Sequence, residues 1–451
     1  MKMNVRSVAR GWRMSACGAL LAGAGLWLAG CSSGSSNPLA AIQAAQAKNA
    51  GNFSTTVFLG DSLTAGFQSG SLLDTQQVHG WAPLVAAQAQ FNIVQPLIAY
   101  PGAPNVLQLV SPGPPPVISQ ATGTTSGRDN FATQVTDLAV PGALLNDVMN
   151  TVPLANPAPG QQQLNQLVLG FPGLGYGQDL SQSGFAVKAQ PTTIFLWIGN
   201  NDALIADITG TPSSMTSVAN FTSQYQALIN QLTTMTPAHL VIGNIPDVTK
   251  VPYLQPAALV LGEYSAATGV PVAVLSQVLG IVPGDSVNPT GLAQIPAILG
   301  GAQKGPITDA GVLTAAEAAL VQAQVTAFNQ VIAAQAKAAN ATLVDINALF
   351  AQVTQTGLTI NGYTGTASFL GGFFSLDGIH PTNTGYAVVA NTFIDAMNAS
   401  IQTKIPDVAL GPIAVGDPLW PPNLAAHFHA GAMLMPANAG RSIEGLILGK
   451  R

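Results

Sequence analysis

Five short apolar runs, at residues 56–59, 135–140, 193–198, 240–242 and 343–346, recur along the chain and limit its fold more than any other feature. Most are continuous stretches of Val, Ile and Leu without strict alternation, as expected of parallel strands covered on both faces. Helical patterns lie between and after them. Phe221, Tyr225, Leu228 and Leu232 repeat at spacings of 4, 3 and 4, and so do Val321, Val325, Phe328 and Ile332. Thr314 and Glu317 are spaced as a capping box, each side chain satisfying an N–H group at the start of that helix. Tyr386, Val389, Phe393 and Met397 mark a last helix. Strands alternating with helices predict an α/β fold on a parallel sheet.

Two stretches are too long to be plain connections. Residues 101–130 are rich in Pro, Gly, Ser and Thr; residues 252–313 are apolar but broken by Gly and Pro. The second reads either as a lid or apolar wall beside a substrate, or as structural padding. From 403 to 451 the chain is Pro-rich without clear periodicity and reads as a tail.

The first residues read as targeting rather than fold. Lys2, Arg6, Arg10 and Arg13 precede an apolar stretch at 14–28, which is short for a transmembrane helix, and small residues then precede Cys31. Residues 1–30 are expected to be a signal peptide. Leu28-Ala29-Gly30-Cys31 resembles the bacterial lipobox, in which the Cys is acylated and holds a soluble protein at a bilayer. Residues 31–52, opening on Ser32-Ser33-Gly34-Ser35-Ser36, would be a flexible tether. The other cysteine, Cys17, lies inside the signal, so the mature chain would carry neither a disulfide framework nor a Cys-based metal site. Ser32 after the Cys resembles outer-membrane sorting in Gram-negative bacteria. The expected location is therefore the bacterial cell envelope, with the membrane as a partner through Cys31.

Charge argues against another class of partner. Only 7% of residues are charged, against a usual quarter, and 14 Lys plus Arg offer no basic stripe for nucleic acid.

Chemistry-bearing residues fall where these strands end. The first run leads into Gly60-Asp61-Ser62-Leu63, and ligands of parallel sheets bind outside the carboxyl ends of strands. A Ser there could be a nucleophile or only a helix cap. Asp377 lies three residues before His380, so one turn can bring a carboxylate to an imidazole, as a general base requires. That His could equally cap the helix after Pro381. Gly142 follows the second run and allows close backbone approach to a ligand. Gly199-Asn200-Asn201-Asp202 follows the third, where an Asn amide can donate to a developing oxyanion.

In this order the four blocks resemble the GDSL, or SGNH, hydrolase family across residues 53–402. Gly243-Asn244-Ile245-Pro246-Asp247 resembles that family's loop after its fourth strand. The resemblance implies a flavodoxin-like three-layer sandwich on a five-stranded parallel sheet, with 101–130 and 252–313 as insertions. It also implies Ser62 as nucleophile, His380 as its base and Asp377 as the group orienting His380. The oxyanion donors would be the Ser62 and Gly142 N–H groups and the Asn201 amide, and no metal or organic cofactor is required. Such an enzyme would be a serine esterase or lipase acting on small-molecule or lipid esters. The alternatives are a deacetylase of envelope or extracellular polysaccharide and an inactive surface lipoprotein; few aromatics argue against the former, and the complete set of residues against the latter.

Three other features carry less. His427 and His429 could share a strand face toward a metal but have no third ligand close in sequence. Gly173, Gly175 and Gly177 lack the spacing of a dinucleotide fingerprint. His79 and Trp81 are expected in surface packing rather than substrate contact.

Overall fold

The computed structural model describes residues 51–130, 133–170, 180–424 and 433–448. Cys31, the 1–30 segment, the Gly173–Gly177 stretch, His427 and His429 lie outside them.

Four parallel strands make the central sheet: β1 (Thr56–Gly60), β2 (Thr193–Trp197), β3 (His239–Gly243) and β4 (Thr342–Val344), paired in that spatial order. Along the chain α1 (Trp81–Ala89) follows β1, and α2 (Gln182–Ala189) leads into β2. Helices α3 (Asn200–Thr209) and α4 (Val218–Met235) join β2 to β3. Between β3 and β4 lie α5 (Ala257–Thr268), α6 (Val272–Leu279), α7 (Pro289–Leu299) and α8 (Ala315–Ala338). The chain continues through α9 (Ile346–Thr356), α10 (Asn383–Ser400) and α11 (Ala437–Leu448).

Successive strand residues point to opposite faces, and both faces are covered. Val57, Leu59, Ile194, Leu196 and Ile242 pack with Phe185 of α2, Tyr225 of α4 and Phe328 of α8. Phe58, Phe195, Trp197 and Val241 pack with Trp81 of α1 and with Tyr386, Phe393 and Met397 of α10. Three layers, helix–sheet–helix, follow from strands that are apolar on both sides. The helical spacings hold: the named residues of α4, α8 and α10 are buried. Thr314 and Glu317 form the reciprocal cap. Trp81 departs from expectation, since it lies in the core with its ring stacked 3.9 Å from that of Phe393.

The second apolar run is not a regular strand, so the sheet has four strands rather than the five expected. Residues 136–140 still lie parallel to the free edge of β1. Phe58 N–H donates to Thr136 O, and Leu138 and Val140 N–H donate to Phe58 O and Gly60 O. The Thr136 and Asp137 N–H groups both turn to Val94 O on the other side, and Pro141 ends the run. The last strand is also shorter than its apolar run. Asp345 accepts from Ala348 N–H and starts α9, taking Ile346 into the helix.

Both insertions have structure of their own. The first contains the antiparallel pair Leu107–Ser111 and Val117–Gln120. In the second, α5, α6 and α7 enclose a separate apolar cluster that includes Val260, Leu261, Leu275, Leu279 and Ile295. The C-terminal stretch, expected to be an aperiodic tail, includes α11, whose Ala439, Ile443, Leu446 and Ile447 join the main core. Those residues do follow a helical period; Gly440 and Gly445 dilute it in a helix of only 12 residues.

Candidate active site

Strand β1 ends at Gly60, where nothing larger fits: a Cβ there would lie 2.5 Å from both Thr64 Oγ1 and Trp197 O. The buried Gln182 side chain holds this residue from both sides, accepting from Gly60 N–H at 2.9 Å and donating to Gly60 O at 3.0 Å. The turn that follows is closed by Asp61, whose Oδ1 accepts from Leu63 N–H and whose Oδ2 accepts from the Asn200 amide. Burial pushes the Asp61 carboxyl up to about 6, against the Asn200 and Leu63 hydrogen bonds and the nearby His380. Ser62 is therefore presented on a turn clamped at the carboxyl end of the sheet.

His380 reaches Ser62 from the loop before α10. Its Nε2 lies 2.8 Å from Ser62 Oγ, and its Nδ1 lies 2.9 Å from Asp377 Oδ2. The Asp377 carboxylate is enclosed by donors. Oδ1 accepts from the N–H groups of Ile379 and His380, and Oδ2 accepts from Gly70 N–H at 2.7 Å. The Ser375 hydroxyl, 3.4 Å from Oδ1, itself accepts from Ser69 N–H. Burial alone would raise this carboxyl; the His380 charge and the hydrogen bonds outweigh it and hold the group below its usual value. An ionised carboxylate thus orients the imidazole, and the imidazole can accept the hydroxyl proton. Phe67 packs on the imidazole at a ring distance of 4.7 Å.

Gly142 and Asn201 meet beside this chain. Asn201, in the first turn of α3, donates one amide N–H to Ala143 O at 2.9 Å, and the amide carries a second. Gly142 has a φ of 76°, which favours Gly, and the Ser62 and Gly142 N–H groups find no acceptor among the described residues. Asp202 ties the same helix start to the 143–145 loop, accepting from Leu145 N–H and the Thr216 hydroxyl. Next to the site lies an apolar pocket whose lining includes Leu63, Leu204, Val251, Phe350, Phe374 and Ile379.

Each sequence-expected residue from Ser62 to His380 is thus at the carboxyl end of the sheet. Gln182, Gly70 and Ser375 were not foreseen. Gly70 acts through a backbone N–H, which no side chain advertises, and Gln182 lies 122 residues from the glycine that it holds.

The model of the family described as GDSL-like Lipase/Acylhydrolase matches residues 56–393. No curated protein matches the chain. Among solved structures, the chain is similar to LAE5, an alpha/beta hydrolase from the metagenome of Lake Arreo, at 13% identity and a TM-score of 0.35, over 78% of this chain and 98% of that one. A catalytic mutant of Axe2, an acetylxylan esterase from Geobacillus stearothermophilus, is similar at 12% identity and a TM-score of 0.34, over 78% and 96%. Phospholipase A1 from Streptomyces albidoflavus is similar at 14% identity and a TM-score of 0.31, over 76% and 98%.

Proposed function

This chain belongs to the GDSL-like lipase/acylhydrolase family and is an ester-bond hydrolase, and from that premise we propose that it is a serine esterase with Ser62 as nucleophile. The observation that carries the reading is the continuous hydrogen-bonded chain from Ser62 Oγ through His380 to Asp377, at 2.8 and 2.9 Å. His380 takes the Ser62 proton as Oγ attacks the ester carbonyl, and Asp377 stabilises the imidazolium that forms. The Ser62 and Gly142 N–H groups and the free amide hydrogen of Asn201 receive the oxyanion. His380 returns the proton to the leaving alcohol, leaving an acyl-enzyme. Water activated by the same imidazole then releases the acid.

The apolar pocket beside Leu63 and Ile379 supports an ester with an apolar acyl part. The test is hydrolysis across an acyl-chain-length series beside acetylated glycans, with Ser62→Ala as control. Wild type should prefer medium or long chains, and Ser62→Ala should be inactive. A folded Ser62→Ala protein with full activity would overturn the nucleophile; activity on acetylated glycans alone would assign the substrate to polysaccharide.

The same proposal extends to location: acylated Cys31 anchors the enzyme at the cell envelope, where lipid esters are at hand.

A further inference from the structure

Helix α6, in the second insertion, is apolar on both of its sides. Leu275 and Leu279 are buried in a cluster with Val260 and Leu261 of α5 and Ile295 of α7. Val274 and Val278, four residues apart and so on one face, are 47% and 40% exposed. Val272 at the start of the helix and Val282 just beyond its end are 43% and 54% exposed. A helix that is apolar all round belongs in a core or against lipid, and an exposed apolar patch marks a surface that meets a partner.

The surroundings narrow that partner. No residue from Tyr264 to Gly284 is charged. Asp285, which follows, is turned inward and accepts from the Val282 and Ala315 N–H groups; Glu263 precedes the stretch on α5. Ile307 N–H donates to Leu279 O, which lays the segment carrying the exposed Lys304 beside the end of α6. A cation next to an uncharged aliphatic face suits anionic headgroups above a hydrocarbon layer. A protein interface would be centred on Tyr, Trp or Arg, and α6 carries none of them. Together α5 and α6 have the length and hydropathy of a membrane-crossing pair bent by 117°. Leu275 and Leu279 are committed to the core, however, which leaves one stripe of α6 for lipid rather than a span. The insertion is also joined to the candidate site: Tyr253 N–H donates to Gly378 O, between Asp377 and His380, and Val251 lines the apolar pocket.

We propose that the exposed valines of α6 seat this protein on a lipid surface, with Lys304 among anionic headgroups, and so bring the candidate site to esters held in a bilayer. The seat goes beyond the Cys31 anchor and is weaker. Four valines and one lysine hold reversibly, so they orient a protein that the anchor retains, and washing releases one without the anchor. The twenty residues from Cys31 to Gly51 reach up to about 70 Å, enough for the folded part to turn this face to the same bilayer. Only the consequence for lipid esters rests on the esterase reading.

The experiment uses the full chain with Cys17→Ser and Cys31→Ser, which removes any acyl anchor. It is labelled at Val278→Cys with an environment-sensitive fluorophore and titrated with vesicles of phosphatidylethanolamine and phosphatidylglycerol. Emission is expected to shift to the blue and to be quenched by a spin-labelled acyl chain in the vesicles. The same label at Val415→Cys, a position outside the insertion and 70% exposed, should not respond. Lys304→Glu should weaken the Val278→Cys response by about fivefold, and an unchanged response would overturn the headgroup contact. No response at Val278→Cys, or an equal one at Val415→Cys, overturns the seat. A blue shift that grows with protein concentration in the absence of vesicles overturns it too, and assigns the face to a second copy of the chain. Should labelling at Val278 disturb the fold, Val274→Cys decides in the same way. None of these readouts involves catalysis, so failure of the esterase reading would leave them unchanged.

Discussion

At the scale of the residue, the site joins side chains of two kinds. Ser62, Asp377, His380 and Asn201 carry the proposed chemistry, whereas Asp61, Asp202 and Gln182 hold the turns that present them. The first kind was legible as candidates because Ser62 and Asn201 follow apolar runs, Asp377 and His380 lie three residues apart before the last periodic helix, and the blocks in this order resemble the GDSL family. The second kind was not. A buried Gln182 bonding one glycine through both N–H and O depends on a meeting of distant segments. Asn201 offers the sharpest test. Its amide is aimed by Ala143 O, so its loss should remove transition-state binding while the Ser62–His380–Asp377 chain stays intact. Asn201→Ala is expected to lower kcat by about a hundredfold or more with a much smaller change in KM. Steady-state kinetics on a short ester checks this; an unchanged kcat would remove Asn201 from the oxyanion site.

At the scale of the element, strands β1, β2 and β3 and helices α4, α8 and α10 were readable from periodicity, because each buries a stripe or a face whole. The run at 135–140 was readable as apolar but not as irregular. At its middle stands Asp137, a buried carboxyl whose Oδ2 has no partner among the described residues. Burial raises Asp137 to about 7, against hydrogen bonds from Ala139 N–H and the Gln95 side chain. The native state then binds a proton that the unfolded chain has lost between its ordinary value of 3.8 and about 7. Across that window stability falls as pH rises, by on the order of 1 kcal/mol per pH unit at most. Asp137→Asn removes this ionisation, so the variant should gain stability relative to wild type as pH rises from about 4 to about 7. Denaturant unfolding at several pH values checks it; a constant difference between the two proteins would rule Asp137 out as the source.

At the scale of the whole molecule, a chain with 7% charged residues has few cations with which to pair its acids. Many aspartates accept instead from backbone N–H groups and polar side chains: Asp61, Asp202 and Asp377 at the site, and Asp417 where it receives the N–H and hydroxyl of Thr384. Location belongs to this scale too. No single helix among the described residues is long and apolar enough to cross a membrane; the attachment proposed above is through Cys31. Cys31→Ser is expected to move the enzyme from the membrane fraction to the soluble one with its esterase activity retained; fractionation and the mass of the mature N-terminus check this, and an unchanged membrane fraction would refute the anchor. Apolar periodicity alone was enough for an α/β fold on a parallel sheet, because such patterns are local and survive in a linear string; the candidates Ser62, Gly142, Asn201, Asp377 and His380 came from the resemblance of their four blocks to the GDSL family. Folding had to supply the Gln182 clamp, the Gly70 N–H on Asp377 and the C-terminal helix beside Gly142. Each joins segments from 122 to more than 300 residues apart, and packing and backbone hydrogen bonds at that range depend on shape, which leaves no mark on the order of residues.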